Sequence, residues 1–312
     1  MAHEIENEQI AYTGEEPWHG IGAKMEPGMS PEEWLKAAKL DWTVTMRPTY
    51  VKPTEEGDLI PVPNSYALVR DTDHKVLTVA SARWTPLQNR DVLDFMQRYV
   101  TAGGAELETV GALRDGKIIW ALAKLNHNFE VRRGDRIGGY LLFQSPHQVG
   151  KSIMVSTTTV RVVCANTMAA ARRQQEVNYR QSHLNEFDVE AARESVAAAH
   201  DQLAEAEKRW KVLDKIKLST DDIVKKVLIP VYAPSAQEAE DSSAVMGILR
   251  SIAAAPGYLG DDKETAYGVL NGVTHWSDHV RGKGGAGRLK SIFSGDSHKQ
   301  KLEVESRLLE LA

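Results

Sequence analysis

Apolar and polar positions alternate along three stretches in the first half of the chain, and this alternation predicts β-strands. The segment SYALVRDTDHKVLTVAS (65–81) has two apolar runs around an aspartate-rich turn, which is typical of a hairpin. A second hairpin is predicted in ELETVGALRDGKIIWALAKL (106–125), where Asp115 and Gly116 favour the positive φ angles of a tight turn. The third predicted hairpin consists of RIGGYLLFQS and KSIMVSTTTVRVVC, on either side of the loop PHQVG.

A period of three to four residues replaces the alternation in NRDVLDFMQRYVTAGG (89–104), which predicts an amphipathic helix. Asn89 is the predicted N-cap, and Gly103 lies beyond the C-terminal end. The apolar positions of this helix are Val92, Phe95, Met96, Tyr99 and Val100. Strands before and after one packed helix predict an α+β fold with a largely antiparallel sheet.

The pattern becomes helical from about residue 185, so a helical C-terminal region is predicted to follow the α+β core. Its first helix has an apolar seam with alternating spacings of three and four. The seam residues are Val189, Ala192, Val196, Ala199, Leu203, Ala206, Trp210 and Leu213. Two interpretations stay open: the helix packs along its own core or in an αα-hairpin, or two copies associate through residues 188–216 into a homo-oligomer.

These patterns divide the chain into three parts. Residues 1–60 are rich in proline and are predicted to be irregular except for a short helix in SPEEWLKAAKL, with Ser30 as its cap and Pro31 as its first residue. Residues 61–184 are predicted to form the α+β core. Residues 185–312 are predicted to form a helical region that packs on the core or extends from it.

Composition limits the classes of protein to consider. The chain has 312 residues, a formal net charge of −5 and one cysteine, which can form no internal disulfide and favours a reducing cytoplasm. No signal peptide and no membrane span are expected, because apolar runs such as IIWALAKL are far shorter than the roughly 20 residues that a bilayer requires. The negative charge argues against a globally basic nucleic-acid binder but permits a local basic surface.

Two local clusters of basic residues are the candidates for contact with nucleic acid. One follows the third predicted hairpin and includes Tyr179 as a candidate stacking surface. The other lies in the glycine-rich loop RGKGGAGRLKS, which has no acidic residue and lacks the order of a phosphate-binding P-loop. The candidate contact residues are Arg172, Arg173, Arg180, Arg281, Lys283, Arg288 and Lys290. The alternative interpretation is that these are ordinary solvated loops.

Two further patterns bear on catalysis. Cys164 would be a nucleophile if His147 lowered its thiol pKa, but a cysteine at the end of an alternating strand is more typical of a buried core position. HWSDH places His275, Asp278 and His279 on one helical face and resembles the inverted zinc-peptidase signature, with Asp in place of Glu. A polar helix face is the simpler interpretation, and we therefore predict no metal and no cofactor.

Longer blocks of the chain resemble a known family. RWTPLQNRDVLDF, GGYLLFQSPHQVGKSI, VRVVCANTM and AYGVLNGVTHWSDHVRG, followed by GRLKSIFSGDSHKQK, are similar to the conserved blocks of the phage/plasmid-like protein family built on domain of unknown function 932. With EEPWHGIG near the start, these blocks run from about residue 16 to residue 301. The resemblance implies an origin in phages, plasmids or other mobile elements, and it implies no catalytic cysteine or metal triad at these positions.

Three hypotheses about function follow. The first is a cytoplasmic, non-enzymatic protein that binds single-stranded DNA and promotes annealing as an accessory to replication or recombination, by analogy in outline with phage annealing proteins. The second is a non-enzymatic interaction protein, such as an inhibitor of host defence, that uses the alanine-seamed helix. The third is a metal-dependent hydrolase centred on His275 and His279.

Overall fold

Strands dominate the first two hundred residues and helices the rest, so the chain has the predicted α+β fold with helices at its C-terminal end. The structure, a computed structural model, describes residues 4–5, 7–17, 19–101, 105–131, 136–158, 176–197, 199–233, 242–254, 263–281 and 296–312. The chain forms two compact units. Unit 1 is Met1–His127 with Gly138–His200, and unit 2 is Asn128–Ile137 with Asp201–Ala312. The boundaries between these two units differ from the boundaries between the three predicted parts.

The alternating sequences form strands, and the sequences with a period of three to four residues form helices. The described strands up to residue 181 are β1 (Ile10–Tyr12), β2 (Ala23–Lys24), β3 (Val44–Val51), β4 (Ile60–Arg70), β5 (Val76–Ala80), β6 (Ala105–Leu113), β7 (Ile118–Glu130), β8 (Arg136–Pro146), β9 (Ile153–Thr158) and β10 (Glu176–Gln181). The described helices up to residue 197 are α1 (Pro31–Ala37), α2 (Asn89–Thr101) and α3 (Val189–Ala197).

The larger sheet of the described residues has the order β10-β9-β8-β7-β6-β1-β2. Antiparallel pairing of β6 with β7 and of β8 with β9 confirms the second and third predicted hairpins. The turn of the second hairpin has φ angles of 54° at Arg114, 55° at Asp115 and 84° at Gly116. The N-terminal strand β1 pairs with β6, so the start of the chain completes this sheet.

A smaller sheet has the order β3-β4-β5. Its β4–β5 pairing, with Tyr66 opposite Ala80, confirms the first predicted hairpin. All of β3 and the first residue of β4, Ile60, come from the proline-rich segment that the sequence predicted as irregular. The short helix predicted there is present, because Ser30 and Glu33 form a capping box in front of Pro31.

Helix α2 packs on the larger sheet through aromatic rings. Phe95 of α2 lies edge-on to Phe143 of β8, with 5.2 Å between the ring centroids. Phe187, from the loop before α3, contacts both rings at 5.7 and 5.4 Å. Edge-on rings at these distances are favourable beyond the area that they bury. The predicted helix therefore covers the sheet where the sequence placed it.

Unit 2 is built mostly from helices around an apolar core. Its elements are α4 (Ala199–Lys215), β11 (Lys217–Ser219), α5 (Thr220–Asp222, continued by the π-helical turns Ile223–Leu228 and by Ile229–Tyr232), α6 (Ser243–Ala254), β12 (Lys263–Thr265), α7 (Ala266–His275, continued by the π-helical turn Trp276–Val280) and α8 (Asp296–Glu310). Residues of α5, α6, α7 and α8 form the core together, among them Val227, Ile248, Val269 and Val304. Glycine permits close packing here, since a Cβ at Gly247 would lie 2.3 Å from the indole nitrogen of Trp276.

The seam predicted for residues 188–216 is shared by α3 and α4. Ala192 and Val196 are buried in unit 1, and Leu213 is buried in unit 2. Trp210 packs on Tyr267, with 6.3 Å between the ring centroids. Self-association through this seam stays a prediction. Within the described ranges, no helix is long and apolar enough to cross a membrane.

Candidate functional site

Arg180 lies on β10, the edge strand of the larger sheet, and its side chain is exposed. It is opposite Met154 of β9, which is opposite Gln144 of β8, so these three side chains share one face of the sheet. Tyr179 and Gln181 point to the other face, which α2 covers. Among the described residues, no carboxylate lies within ion-pair distance of the Arg180 guanidinium. The exposed Arg180 guanidinium is therefore not neutralised by any described carboxylate.

Gln181 organises the loop that joins β10 to α3. Its Oε1 accepts hydrogen bonds from the hydroxyl of Tyr179 (2.6 Å) and from the backbone N–H of Asp188 (2.9 Å), and its Nε2 donates to the carbonyl oxygen of Glu186 (2.6 Å). Burial raises the pKa of Tyr179, and the Asp188 carboxylate adds to this shift. The ring of Tyr179 lies edge-on to Phe187 at 6.0 Å. Tyr179 thus packs on the protein, on the sheet face opposite to Arg180.

A cleft of about 280 Å³ opens between α2 and this loop. Its apolar lining includes Phe95 and Phe187. The charged side chains at the cleft are Asp91, Asp94, Arg98 and Glu186. Three carboxylates against one guanidinium give the cleft a negative charge, so it suits a cationic group with an apolar body and disfavours a phosphate.

His147, directly after β8, is fully buried and is held by Asn89 at the start of α2. The side chain of Asn89 donates to the carbonyl oxygens of Leu40 (3.0 Å) and Trp42 (3.3 Å), so its Oδ1 is left as an acceptor. His147 Nε2, at 3.1 Å from that oxygen, must be the donor. Burial lowers the pKa of His147 to about 3, and His183 adds to the shift. The imidazole is therefore neutral and has a lone pair on Nδ1.

His183 is the second buried histidine of unit 1, and it anchors one wall of the cleft. Its ring stacks on Trp84 with 4.1 Å between centroids, and its Nδ1 donates to the carbonyl oxygen of Thr85 (3.1 Å). The N–H of Thr85, a residue of the cleft, donates in turn to the carbonyl oxygen of His183 (2.6 Å). Burial lowers the pKa of His183, although the carbonyls of Thr85 and Pro146 oppose the shift. The Nε2 atom therefore holds the lone pair.

Polar atoms without a partner are concentrated around these histidines. Within the described part of the chain, no donor or acceptor contacts Ser145 Oγ, His147 Nδ1, Gln148 Oε1 or His183 Nε2. Sequence reasoning considered His147 only as a partner for Cys164 and missed its contact with Asn89. One signal in the sequence could have indicated this contact: Asn89 and His147 each lie in a block that resembles the family.

Arg281, the first residue of the second basic cluster, is held inside unit 2. Its guanidinium lies over the ring of Trp276, 5.2 Å from the centroid, and its Nη1 donates to Gln300 Oε1 (2.8 Å). Gln300 Nε2 donates to the carbonyl oxygen of Val231 (3.3 Å), so one network joins the ends of α5 and α7 to α8. Arg281 has a packing role whatever else it contacts.

The HWSDH pattern forms the π-helical end of α7 rather than a regular α-helical face. His275 is exposed immediately before this turn, and the side chains of Asp278 and His279 lie outside the described set. Within the described residues, no three His, Cys, Asp or Glu side chains are grouped so that they could bind a metal ion.

The remaining candidates lie outside the described residues. They are Arg172, Arg173, Lys283, Arg288 and Lys290 of the two basic clusters, and Cys164 of the catalytic hypothesis. Arg180 and Arg281 are therefore the two predicted contact residues whose surroundings the structure describes.

The block RWTPLQNRDVLDF supplies Asn89 and one side of the cleft, and the block GGYLLFQSPHQVGKSI supplies His147. These blocks fall within residues 76–306, which match the family model described as "Domain of unknown function (DUF932)". The chain belongs to the DUF932 family. The predicted family is thereby confirmed, and in this DUF932 protein the cleft and both buried histidines lie inside the matched residues. No curated protein and no solved structure matches the chain.

Proposed function

We propose that this DUF932 protein is a non-enzymatic protein that binds the phosphate backbone of single-stranded nucleic acid. Its contact surface is the exposed edge strand β10 around Arg180, together with the arginine pair that precedes β10 in the sequence. In this proposal the protein is an accessory to replication or recombination, encoded by a phage or plasmid, and acts in the host cytoplasm.

The observation that carries the proposal is the setting of Arg180. Its guanidinium is exposed on an edge strand and has no described carboxylate beside it, whereas Arg193 of α3, in the same unit, lies 3.5 Å from the Glu190 carboxylate. Exposed arginines without a paired carboxylate are the side chains that neutralise phosphates and release counterions. Arg172 and Arg173 stand a few residues earlier in the chain and add two charges of the same sign.

The two faces of the sheet differ in the charge that they offer a ligand. The negatively charged cleft lies on the face that α2 covers, and Arg180 lies on the opposite face. A phosphate backbone is repelled by Asp91, Asp94 and Glu186 at the cleft. This asymmetry supports binding of the nucleic acid at Arg180 on the edge strand β10, on the side directed away from the cleft.

Fluorescence anisotropy with a labelled oligothymidylate at low salt tests the proposal. We expect the wild type to bind, and we expect Arg180→Glu to weaken binding about tenfold, because one phosphate contact is lost and one repulsion is added. Arg193→Glu is the matched control, since it changes the net charge equally at an exposed position of the same unit. It should retain the wild-type affinity.

Two results contradict the proposal. One is a wild type that does not bind the labelled strand at low salt. The other is an equal loss of affinity in Arg180→Glu and Arg193→Glu, which would mean that total charge, rather than this surface, controls the binding. The interaction-protein hypothesis stays a prediction, as does the metal-hydrolase hypothesis, which elemental analysis of the purified protein tests directly.

A further inference from the structure

Apolar side chains line much of the cleft between α2 and the loop before α3. Leu87, Phe95 and Ile153 of this lining are buried, and Phe187 is half-buried. Phe95 and Phe187 belong to a cluster of rings that meet edge-on, with centroids 5.2 to 6.0 Å apart. A ring bound in the cleft would extend this cluster, so it would gain aromatic contacts in addition to the apolar area that it buries.

The charged side chains of the cleft carry an excess of negative charge. Those of the lining are three carboxylates and one guanidinium: Asp91, Asp94, Glu186 and Arg98. Outside the lining, Arg90 lies 3.4 Å from the Asp94 carboxylate and also pairs with Glu32. Because this arginine and this glutamate add one charge of each sign, the excess stays the same. A ligand with a positive charge is therefore favoured.

Hydrogen bonds within unit 1 hold both walls of the cleft in place. The reciprocal bonds between Thr85 and His183 fix the wall that precedes α2. In the opposite wall, Gln181 Nε2 donates to the carbonyl oxygens of Asn185 (3.3 Å) and Glu186 (2.6 Å). A cleft that is formed before its ligand arrives needs little reordering on binding, which favours affinity for a small molecule.

The volume of the cleft limits the size of its ligand. Its volume of about 280 Å³ corresponds to roughly nine water molecules at about 30 Å³ each. A molecule of about nine non-hydrogen atoms would therefore fill it. One phenyl ring, a linker of two methylene groups and one ammonium group make up a molecule of this size.

We infer that this cleft binds a small aromatic amine, with the ring against Phe95 and Phe187 and the ammonium group beside the carboxylates of Asp91 and Glu186. The ring matches the apolar lining, and the positive charge matches the excess of carboxylates. The inference assigns no reaction to this ligand. It does not depend on the proposed binding of nucleic acid, which uses the edge strand β10 and not the cleft.

Saturation-transfer difference NMR of the full chain, at about 150 mM salt, tests the inference with 2-phenylethylamine as the probe. Three analogues change one property each: 2-phenylethanol lacks the charge, 3-phenylpropanoate reverses it, and ethylamine lacks the ring. We expect 2-phenylethylamine to bind with a dissociation constant of about 1 mM or below. The alcohol and ethylamine should bind at least about fivefold more weakly, and 3-phenylpropanoate should show no binding.

A double variant, Asp91→Asn with Glu186→Gln, removes one carboxylate from each wall of the cleft. It should raise the dissociation constant of 2-phenylethylamine about fivefold, because two attractive charges are lost. Asparagine retains a side-chain oxygen for the N–H of Gln88, so the start of α2 should be unaffected. The matched control is Glu190→Gln with Glu194→Gln, which changes the net charge equally at two exposed positions of α3 outside the lining. It should bind the probe as the wild type does.

Four results overturn the inference. The first is no saturation transfer to 2-phenylethylamine up to about 10 mM. The second is equal affinity for the amine and the alcohol, which would mean that the carboxylates do not recognise the ligand. An equal loss in both double variants would assign the effect to total charge. Tighter binding of Nα-acetyl-lysine methylamide than of 2-phenylethylamine would assign the cleft to a lysine side chain of a protein partner. Far-ultraviolet circular dichroism should show the same fold for all variants, since the changed side chains are exposed.

Discussion

At the scale of residues, the side chain of Asn89 connects distant segments of the chain inside unit 1 through hydrogen bonds. The sequence predicted an N-cap role for it, yet α2 begins at Asn89 and the side chain is used elsewhere. Its amide joins the chain before β3 to His147 after β8, and Asp91 accepts the N–H of Gln88 instead (3.1 Å). A cap is a local function, whereas these contacts join residues about 50 positions apart, which no local pattern reveals.

The buried histidine makes the stability of unit 1 depend on pH. The folded-state pKa of His147 is about 3, below the unfolded value of 6.5, so the unfolded chain takes up the proton first as the pH falls. The contribution of His147 to the free energy of unfolding is therefore fully present above pH 6.5. It decreases toward pH 3 by up to about 1.4 kcal/mol per pH unit. Urea denaturation between pH 7.5 and pH 5 measures the decrease.

His147→Gln separates this titration from other acid effects. Glutamine retains a side-chain N–H for the Asn89 oxygen but has no proton to gain in this range. The variant should be less stable than the wild type at neutral pH and should lose less stability on acidification. A wild type and a variant with the same pH dependence would show that His147 does not stay neutral in the folded protein.

Three groups of residues show which parts of the candidate site could be predicted from the sequence and which could not. Arg180 was predicted only as a member of a basic cluster, and the structure shows that it is exposed on strand β10, which the sequence analysis did not predict. Tyr179 was predicted as a stacking surface beside it, but neighbours on a strand point to opposite faces, and its hydroxyl is held by Gln181. The buried histidines were not predicted as a pair, because burial depends on elements far apart in the sequence.

At the scale of elements, the turn between β6 and β7 is specified both locally and by distant contacts. Asp115 accepts from the guanidinium of Arg70 (3.2 Å) and pairs with Lys75, and Arg70 lies over the ring of Trp42 at 5.3 Å. A Cβ added at Gly116 would lie 2.9 Å from Trp42 and 3.0 Å from Arg70. The sequence indicated the turn, whereas the charged cluster that packs on it became visible only in the structure.

A pair of glycine variants tests this packing. Gly116 and Gly150 have similar φ angles, 84° and 80°, but a Cβ at Gly150 would meet nothing within 4 Å. Gly150→Ala should therefore cost only backbone strain, about 1 kcal/mol of the free energy of unfolding. Gly116→Ala should cost about 3 kcal/mol, because a clash with Trp42 and Arg70 is added. Equal losses in urea denaturation would contradict the packing described for the turn.

The hairpin of β3 and β4 shows why the prediction of an irregular N-terminal segment is wrong. Its prolines predict irregular chain, yet Pro48, Pro61 and Pro63 lie within β3 and β4. Strand β5 pairs with β4 only between Tyr66 and Val69, so the prolines of β4 lie where the strand has β3 as its single neighbour. A two-stranded hairpin tolerates residues that lack an N–H, and a sequence pattern does not show where a third strand ends.

At the scale of the whole molecule, the α+β class and the hairpins followed from periodicity, because each is set by residues close together in the chain. The seven-stranded order did not, since β1 reaches β6 across about a hundred residues. The net charge of −5 likewise conceals a sheet whose two faces differ in charge near β10. The proposed binding of nucleic acid depends on this distribution of charge, which the overall composition does not show.

The salt dependence of single-strand binding tests the central claim most directly. Each phosphate contact contributes about −0.7 to the slope of log K against log salt for a single strand. We predict a negative slope for the wild type, a slope shallower by about 0.7 for Arg180→Glu, and an unchanged slope for Arg193→Glu. Binding by the wild type that does not depend on salt, or identical slopes for the wild type and Arg180→Glu, would contradict phosphate contact at this surface.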